Sequence, residues 1–153
     1  MSSRSRPLVA LDTSVWIAWI EQRAAFLESV QPIFDDLLGG RLAVVTSVLG
    51  LLEVLTGAHR RGDELLAHRF EQVLTGLDGV ALVPVSIEIA RQAARLRAVH
   101  SLRTPDAIHV STALAVKAAS FITMDRRLAR VKEIDVHVLR SAAPSPSRKP
   151  LRS

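Results

Sequence analysis

Short apolar runs separated by longer stretches of helical spacing constrain this chain more than any other feature. The runs lie at about Leu8 to Leu11, Leu42 to Val45, Val80 to Val83, Ser120 to Thr123 and Val136 to Leu139. Between them, apolar residues recur at three- and four-residue intervals. That spacing predicts helices at Val15 to Ile20, Phe26 to Leu38, Val48 to His59, Asp63 to Thr75, Ile87 to Val99 and Pro105 to Ala118, with a short one from Arg126. Parallel strands need crossovers long enough to hold a helix, so this alternation predicts an α/β domain with a mostly parallel sheet.

At 153 residues, 48% of them hydrophobic, the chain can bury one substantial core and is expected to form one domain over residues 7–140. It has no cysteine, so disulfides, thiolate metal sites and thiol nucleophiles are excluded, and a reducing cytoplasm is the compartment expected. The longest uncharged run is the eleven residues from Leu42 to Leu52. A membrane helix needs roughly 18 to 20, so none is expected. Asp12 interrupts the first apolar run early, which argues against a signal-peptide core.

The net charge of +5 is concentrated in the tails. Arg4 and Arg6 precede the first apolar run, and residues 1–6 are expected to be flexible. Arg148, Lys149 and Arg152 lie in SAAPSPSRKPLRS, which is expected to form a disordered basic tail over 141–153. The body is neutral but polarised: residues 7–88 hold 5 basic and 11 acidic residues, and residues 89–140 hold 10 and 4. A phosphate-bearing ligand would favour the second half unless a metal masks acids in the first.

In open α/β sheets, ligands bind beyond the carboxyl ends of the strands, which makes acids placed there candidates for chemistry. Asp12 ends LVAL and precedes a helix; it suits an N-cap, and equally a metal ligand with Thr13 and Ser14 beside it. Glu53 interrupts VLGLLEVL, with Gly50 and Gly57 at i−3 and i+4, so its helical stripe is bare. Glycine is a poor filler for a plain solvent face. Asp106 follows Thr104 and Pro105, which read as N-cap and first helical residue, so a first-turn acid would also satisfy the helix dipole.

Asp125 follows FIT at a strand end, where it too can cap a turn, with Thr123 two residues earlier and Arg126 and Arg127 next to it. His109, one turn beyond Asp106, suits a packed, hydrogen-bonded place in its apolar helix more than a role orienting a carboxylate or meeting substrate. Trp16 and Trp19 suit core or dimer packing better than base stacking or reception of a partner protein. Three acids at strand or helix edges and one on a bare helix stripe together suit a hard cation such as magnesium, which prefers oxygen ligands and keeps several waters. There is no Walker A loop, dinucleotide glycine fingerprint or GxSxG elbow.

Taken in order, LVALDTSVWI, SVLGLLEVLTGA, RTPDAIHVSTAL and FITMDRRLARV resemble the PIN-domain family, above all the VapC-type toxins of bacterial toxin–antitoxin pairs, over most of residues 8–139. The resemblance implies a three-layer α/β/α domain, usually dimeric, that cuts RNA with Mg2+ or Mn2+. It matches Asp12, Glu53, Asp106 and Asp125 to the family's acids, and Thr13 and Thr123 to its hydroxyl positions near the metal. It further implies transfer RNA or ribosomal RNA as substrate and silencing by a small VapB-like antitoxin.

The function expected is therefore a metal-dependent endoribonuclease, with Arg103, Arg126 and Arg127 positioning phosphate. Two rivals share these features: a PIN nuclease of RNA maturation without an antitoxin, and a noncatalytic RNA-binding or interaction module.

Overall fold

The computed structural model describes residues 5–142. The flexible N-terminus expected at 1–6 and the tail expected at 141–153 fall largely outside them. Five strands, β1 (Leu8–Leu11), β2 (Ala43–Ser47), β3 (Val80–Val83), β4 (Ser120–Thr123) and β5 (Val136–Val138), form one sheet in the order β3-β2-β1-β4-β5. Every pairing is parallel. The order reverses between β1 and β4, because the chain leaves β1 toward one edge and returns on its other side. That reversal opens a crevice beyond the carboxyl ends of these two strands.

Six helices supply the crossovers: α1 (Thr13–Ile20), α2 (Ala24–Leu38), α3 (Val48–Arg60), α4 (Glu64–Gly76), α5 (Ile87–His100) and α6 (Thr104–Ala115), followed by a 3-10 turn at Arg126–Arg130. Alternation along the strands decides which layer each residue joins. Val9, Leu11, Val44 and Ile122 face a core built with Val15, Trp16 and other residues of α1 to α4. Ala10, Val45 and Phe121 face the opposite core with Ala93, Leu96, Val110 and Leu128 from α5, α6 and the 3-10 turn. A parallel sheet covered on both faces explains why the strands read as continuous apolar runs rather than alternating ones. The result is the three-layer α/β/α arrangement expected from the sequence.

Both tryptophans serve packing. Trp16 is fully buried edge-on to Phe34, and Trp19 stacks on the same ring at 3.9 Å between centroids. Several boundaries shift by one to three residues from expectation, and three of the differences are informative. β2 runs on to Ser47 because Thr46 and Ser47 still pair with Leu82 and Val83. α6 stops at Ala115 rather than Ala118, where Lys117 adopts a left-handed φ of 55° that ends the helical path. Thr104 is not the N-cap of α6: it is already helical, and Arg103 occupies the cap without a side-chain capping bond. Beyond β5, the Ala142 N–H donates to the Ala25 carbonyl and Ser29 Oγ donates to the Arg140 carbonyl, tying this end of the described chain to α2. Among the described residues no helix is long and apolar enough to cross a membrane.

Candidate active site

The crevice at the reversal point is an open cavity of about 410 Å³, and Asp12, Glu53, Asp106 and Asp125 all line it, together with Thr13 and Arg103. Each acid arrives on a different element. β1 and β4 deliver Asp12 and Asp125 at their carboxyl ends, α3 delivers Glu53, and the first turn of α6 delivers Asp106. A larger groove of about 600 Å³ lies between α5 and α6, where Arg91 and Arg95 face Glu88 and Glu133. Its two acids are balanced by two arginines, so the smaller cavity with its four acids is the better candidate for chemistry.

Asp12 is the most constrained of the four. Its backbone N–H continues the sheet ladder to Ile122 at 2.9 Å, and its residue exposure is only 8%. Oδ1 accepts the Thr13 N–H at 2.8 Å, the expected capping bond of α1. Oδ2 accepts the Thr123 hydroxyl at 2.7 Å and, more weakly, that of Ser14 at 3.5 Å. Capping and site-building are therefore served by the same side chain. Thr123, fully buried, also accepts the Asp125 N–H at 3.0 Å, so one hydroxyl ties the ends of β1 and β4 together.

Asp125 caps the 3-10 turn through the Arg127 N–H at 3.0 Å. The Arg127 guanidinium also grips it in a two-pronged pair, Nε to Oδ1 at 3.0 Å and Nη2 to Oδ2 at 2.7 Å. That hydrogen-bonded guanidinium holds the Asp125 carboxyl below the usual carboxylate range despite its partial burial. Arg127, expected to hold phosphate, thus holds an acid of the site. Arg103 reaches Asp106 at 3.6 Å from Nε to Oδ2, while Arg126 is exposed at the start of the 3-10 turn.

Asp106 behaves oppositely to Asp125. Burial, and then the negative charges of Asp12 and Asp125, raise its carboxyl above the usual range, and the partial counter-charge of Arg103 does not offset them. Neighbouring acids therefore repel one another across this cavity.

Glu53 is held by α6. His109 Nε2 makes a short hydrogen bond with Glu53 Oε1, and the Thr13 hydroxyl lies 3.3 Å from both that oxygen and that nitrogen. His109 is buried, which opposes its charged form. The Glu53 bond and the charges of Asp12, Glu53 and Asp106 together outweigh that, so its pKa lies above the ordinary imidazole value. Gly50, the i−3 neighbour of Glu53, is buried against this network: a Cβ there would sit 3.4 Å from the hydroxyls of Thr13 and Thr46 and 3.6 Å from His109 Cε1. Gly57, the other half of the bare stripe, is exposed with open space around it.

Thr46, whose hydroxyl donates to the Leu11 carbonyl at 2.8 Å beneath the site, carried no signal in the sequence beyond an ordinary strand threonine. Its part depends on β2 lying next to β1.

The donor set fits a hard divalent cation: four carboxylates on one cavity, with the Thr13 and Thr123 hydroxyls beside them and no thiolate. Their mutual repulsion is what such a charge would relieve. Among the described residues no three His, Asp or Glu side chains are already gathered into a ready-made ligand set. Arg127, Arg103 and His109 each hold one acid instead. Magnesium commonly takes only one or two carboxylates directly and meets its remaining partners through water, so a cavity with acids spread around its wall suits it.

A family model described as the PIN domain matches residues 9–134. No curated protein sequence matches the chain. Among solved structures, a chain of the VapBC2 complex from Rickettsia felis, bound to a DNA fragment from its promoter, is similar at 15% identity with a TM-score of 0.71, covering 86% of this chain and 98% of that one. VapBC-5 from Mycobacterium tuberculosis, a member of the VapBC family of toxin–antitoxin systems, is similar at 23% identity and a TM-score of 0.55, covering 87% and 98%. VapC20 from the same organism, described as a toxin that cleaves the sarcin-ricin loop, is similar at 18% identity and a TM-score of 0.61, covering 74% and 86%. At these identities the likeness speaks to the fold.

Proposed function

The chain belongs to the PIN-domain family, and from that premise we propose that it is a metal-dependent endoribonuclease, the toxin of a VapBC-type pair, acting on a structured RNA such as transfer or ribosomal RNA. The observation that carries this reading is the convergence of Asp12, Glu53, Asp106 and Asp125, from four separate elements, on one open cavity at the sheet's reversal point.

Mg2+, or Mn2+ in its place, would be held by Asp12 and Asp106, with Asp125 and Glu53 completing the site directly or through water. The chemistry such an ion supplies is neutralisation of charge on the scissile phosphate and activation of water as a nucleophile. The chain's own contribution is preorganisation. Asp12 is fixed by the sheet ladder and by Thr123, so its carboxylate need not reorder on binding. Glu53 commits Oε1 to His109 and Thr13, which leaves Oε2 to meet a water or its proton in the cavity. The guanidinium of Arg103 on the cavity wall and that of Arg127 next to Asp125 are placed to meet phosphate oxygens once a cation competes for the acids.

The partner proposed is a small VapB-like antitoxin, and the assembly proposed is a homodimer. The VapBC complexes among the structural neighbours support the first. The test is cleavage of a mixed cellular RNA pool by the purified chain with Mg2+, with chelator, and by Asp12→Asn and Asp106→Asn. Cleavage is expected only for the wild type with metal. Equal cleavage by both variants would sink the proposal.

A further inference from the structure

His109 is 3% exposed and sits one helical turn beyond Asp106, so simple packing would account for it if its polar atoms were satisfied by the core. They are not. Among the described residues Nδ1 has no hydrogen-bond partner, and the polar contacts of the ring lie at Nε2, toward Glu53 Oε1 and Thr13 Oγ1. A buried ring nitrogen left unpaired is costly, and an apolar side chain at this position of α6 would avoid that cost. The ring's one-sided bonding is directed at the cavity.

The other three acids each have a separate support: Thr123 and the Thr13 N–H for Asp12, Arg103 for Asp106, Arg127 for Asp125. Among the described residues Glu53 has only His109 and the more distant Thr13 hydroxyl, and its side chain is 35% exposed. A flexible carboxylate on a helix surface otherwise samples several rotamers, and fixing one costs side-chain entropy. Gly50 lets the helix carrying Glu53 lie directly against the imidazole and the two threonine hydroxyls.

We propose that His109 is a positioning residue that reaches from α6 to α3 and sets the Glu53 carboxylate toward the cavity, so that the site takes up its divalent ion in the geometry cleavage requires. Its consequence for cleavage rests on the nuclease reading above; its structural content does not.

The test compares the wild type with His109→Leu, which keeps bulk and removes the bond, and His109→Gln, which can restore a donor to Glu53. Three readouts apply: the rise in Tm produced by millimolar Mg2+, kcat and KM for RNA cleavage, and the imidazole nitrogen resonances of His109 in the metal-free protein with and without Glu53→Gln. Partners that orient metal ligands typically matter by about 10- to 100-fold in metal affinity or activity. His109→Leu is therefore expected to unfold cooperatively, lose most of the Mg2+-induced rise in Tm, and fall about tenfold or more in kcat with KM near the wild-type value. His109→Gln recovers much of both.

A folded His109→Leu with an undiminished Mg2+ response and kcat overturns the proposal. If His109→Leu does not fold, the wild-type protein still decides: the Nε2 resonance must move on Glu53→Gln, and an unmoved resonance overturns the proposal. If the wild type neither cleaves RNA nor responds to Mg2+, the nuclease reading fails, and the same resonance measurement alone decides whether His109 holds Glu53.

Discussion

Thr123 and Asp12 are separated by 111 positions, yet the threonine hydroxyl donates to the aspartate's Oδ2 at 2.7 Å. Parallel pairing of β1 with β4 makes this possible, since it puts Leu11 opposite Ile122 and so brings the residues after them side by side. The same hydroxyl accepts the Asp125 N–H, so the ends of the two central strands share one polar link.

Thr123→Val keeps the shape and β-branching of the side chain but takes the donor from Asp12 Oδ2, leaving it only the weaker Ser14 contact among the described residues, and the acceptor from the partly buried Asp125 N–H. Leaving buried polar groups unsatisfied costs about 1 to 3 kcal/mol. Denaturant unfolding should show a loss of that size with an unchanged m-value, and Thr123→Ser should restore most of it. A midpoint equal to the wild type's would mean that the link carries no stability.

Asp106 should make the metal-free protein less stable as the solution becomes less acidic. Burial and the charge of Asp12 raise its folded pKa above the unfolded value of about 3.9. A group raised in this way contributes its full stability below the unfolded pKa and loses it as pH rises through the folded pKa. Asp106→Asn removes the titration and mimics the neutral acid. With chelator present, the variant should therefore exceed the wild type in Tm at pH 7.5, and the gap should close toward pH 4. Mg2+ should reverse the order by stabilising the wild type alone. A variant no more stable than the wild type at pH 7.5 would contradict the repulsion among these acids.

The stripe around Glu53 shows how far the sequence could be read. Gly50 and Gly57 both suggested a close approach, and only Gly50 is near anything. The edges that carry Asp12 and Asp125 were legible because LVAL runs directly into Asp12, and SFIT is followed after Met124 by Asp125 and two arginines. The bond from His109 to Glu53 was not, because it spans 56 positions and depends on how α6 lies across the sheet from α3. The pair between Arg127 and Asp125 was hidden for a different reason. Two arginines after a strand read as phosphate contacts, whereas a 3-10 turn also brings the second one back onto the residue that caps it. Strand order was likewise beyond reach: parallel pairing follows from the crossovers, whereas the reversal between β1 and β4 follows from packing.

Gly57 itself yields a prediction. It lies in the interior of α3, exposed, with nothing among the described residues within 4 Å of where a Cβ would stand. Gly57→Ala should then stabilise the protein by about 0.5 to 1 kcal/mol, mostly by restricting the unfolded chain. Urea unfolding measures this directly, and RNA cleavage should be unaffected. A loss of stability would show that the position is covered in the protein as it exists in solution, as by a partner copy.

The pair between Arg127 and Asp125 sets the last expectation. It is partly exposed, with side-chain exposures of 58% and 25%, so it should add little to stability. Its effect should appear in competition instead. While Arg127 grips both oxygens of Asp125, a divalent ion must displace a cation to use that acid, and the displaced guanidinium is then free to meet RNA phosphate. Arg127→Gln should therefore leave Tm without metal nearly unchanged and shift the Mg2+ titration midpoint to lower concentration. It should also weaken binding of a non-cleavable RNA, with the salt dependence of binding reduced by about one unit of slope. If the Mg2+ midpoint rises instead, Arg127 supports the metal-binding geometry rather than competing with it. If the salt slope is unchanged, the guanidinium never reaches phosphate.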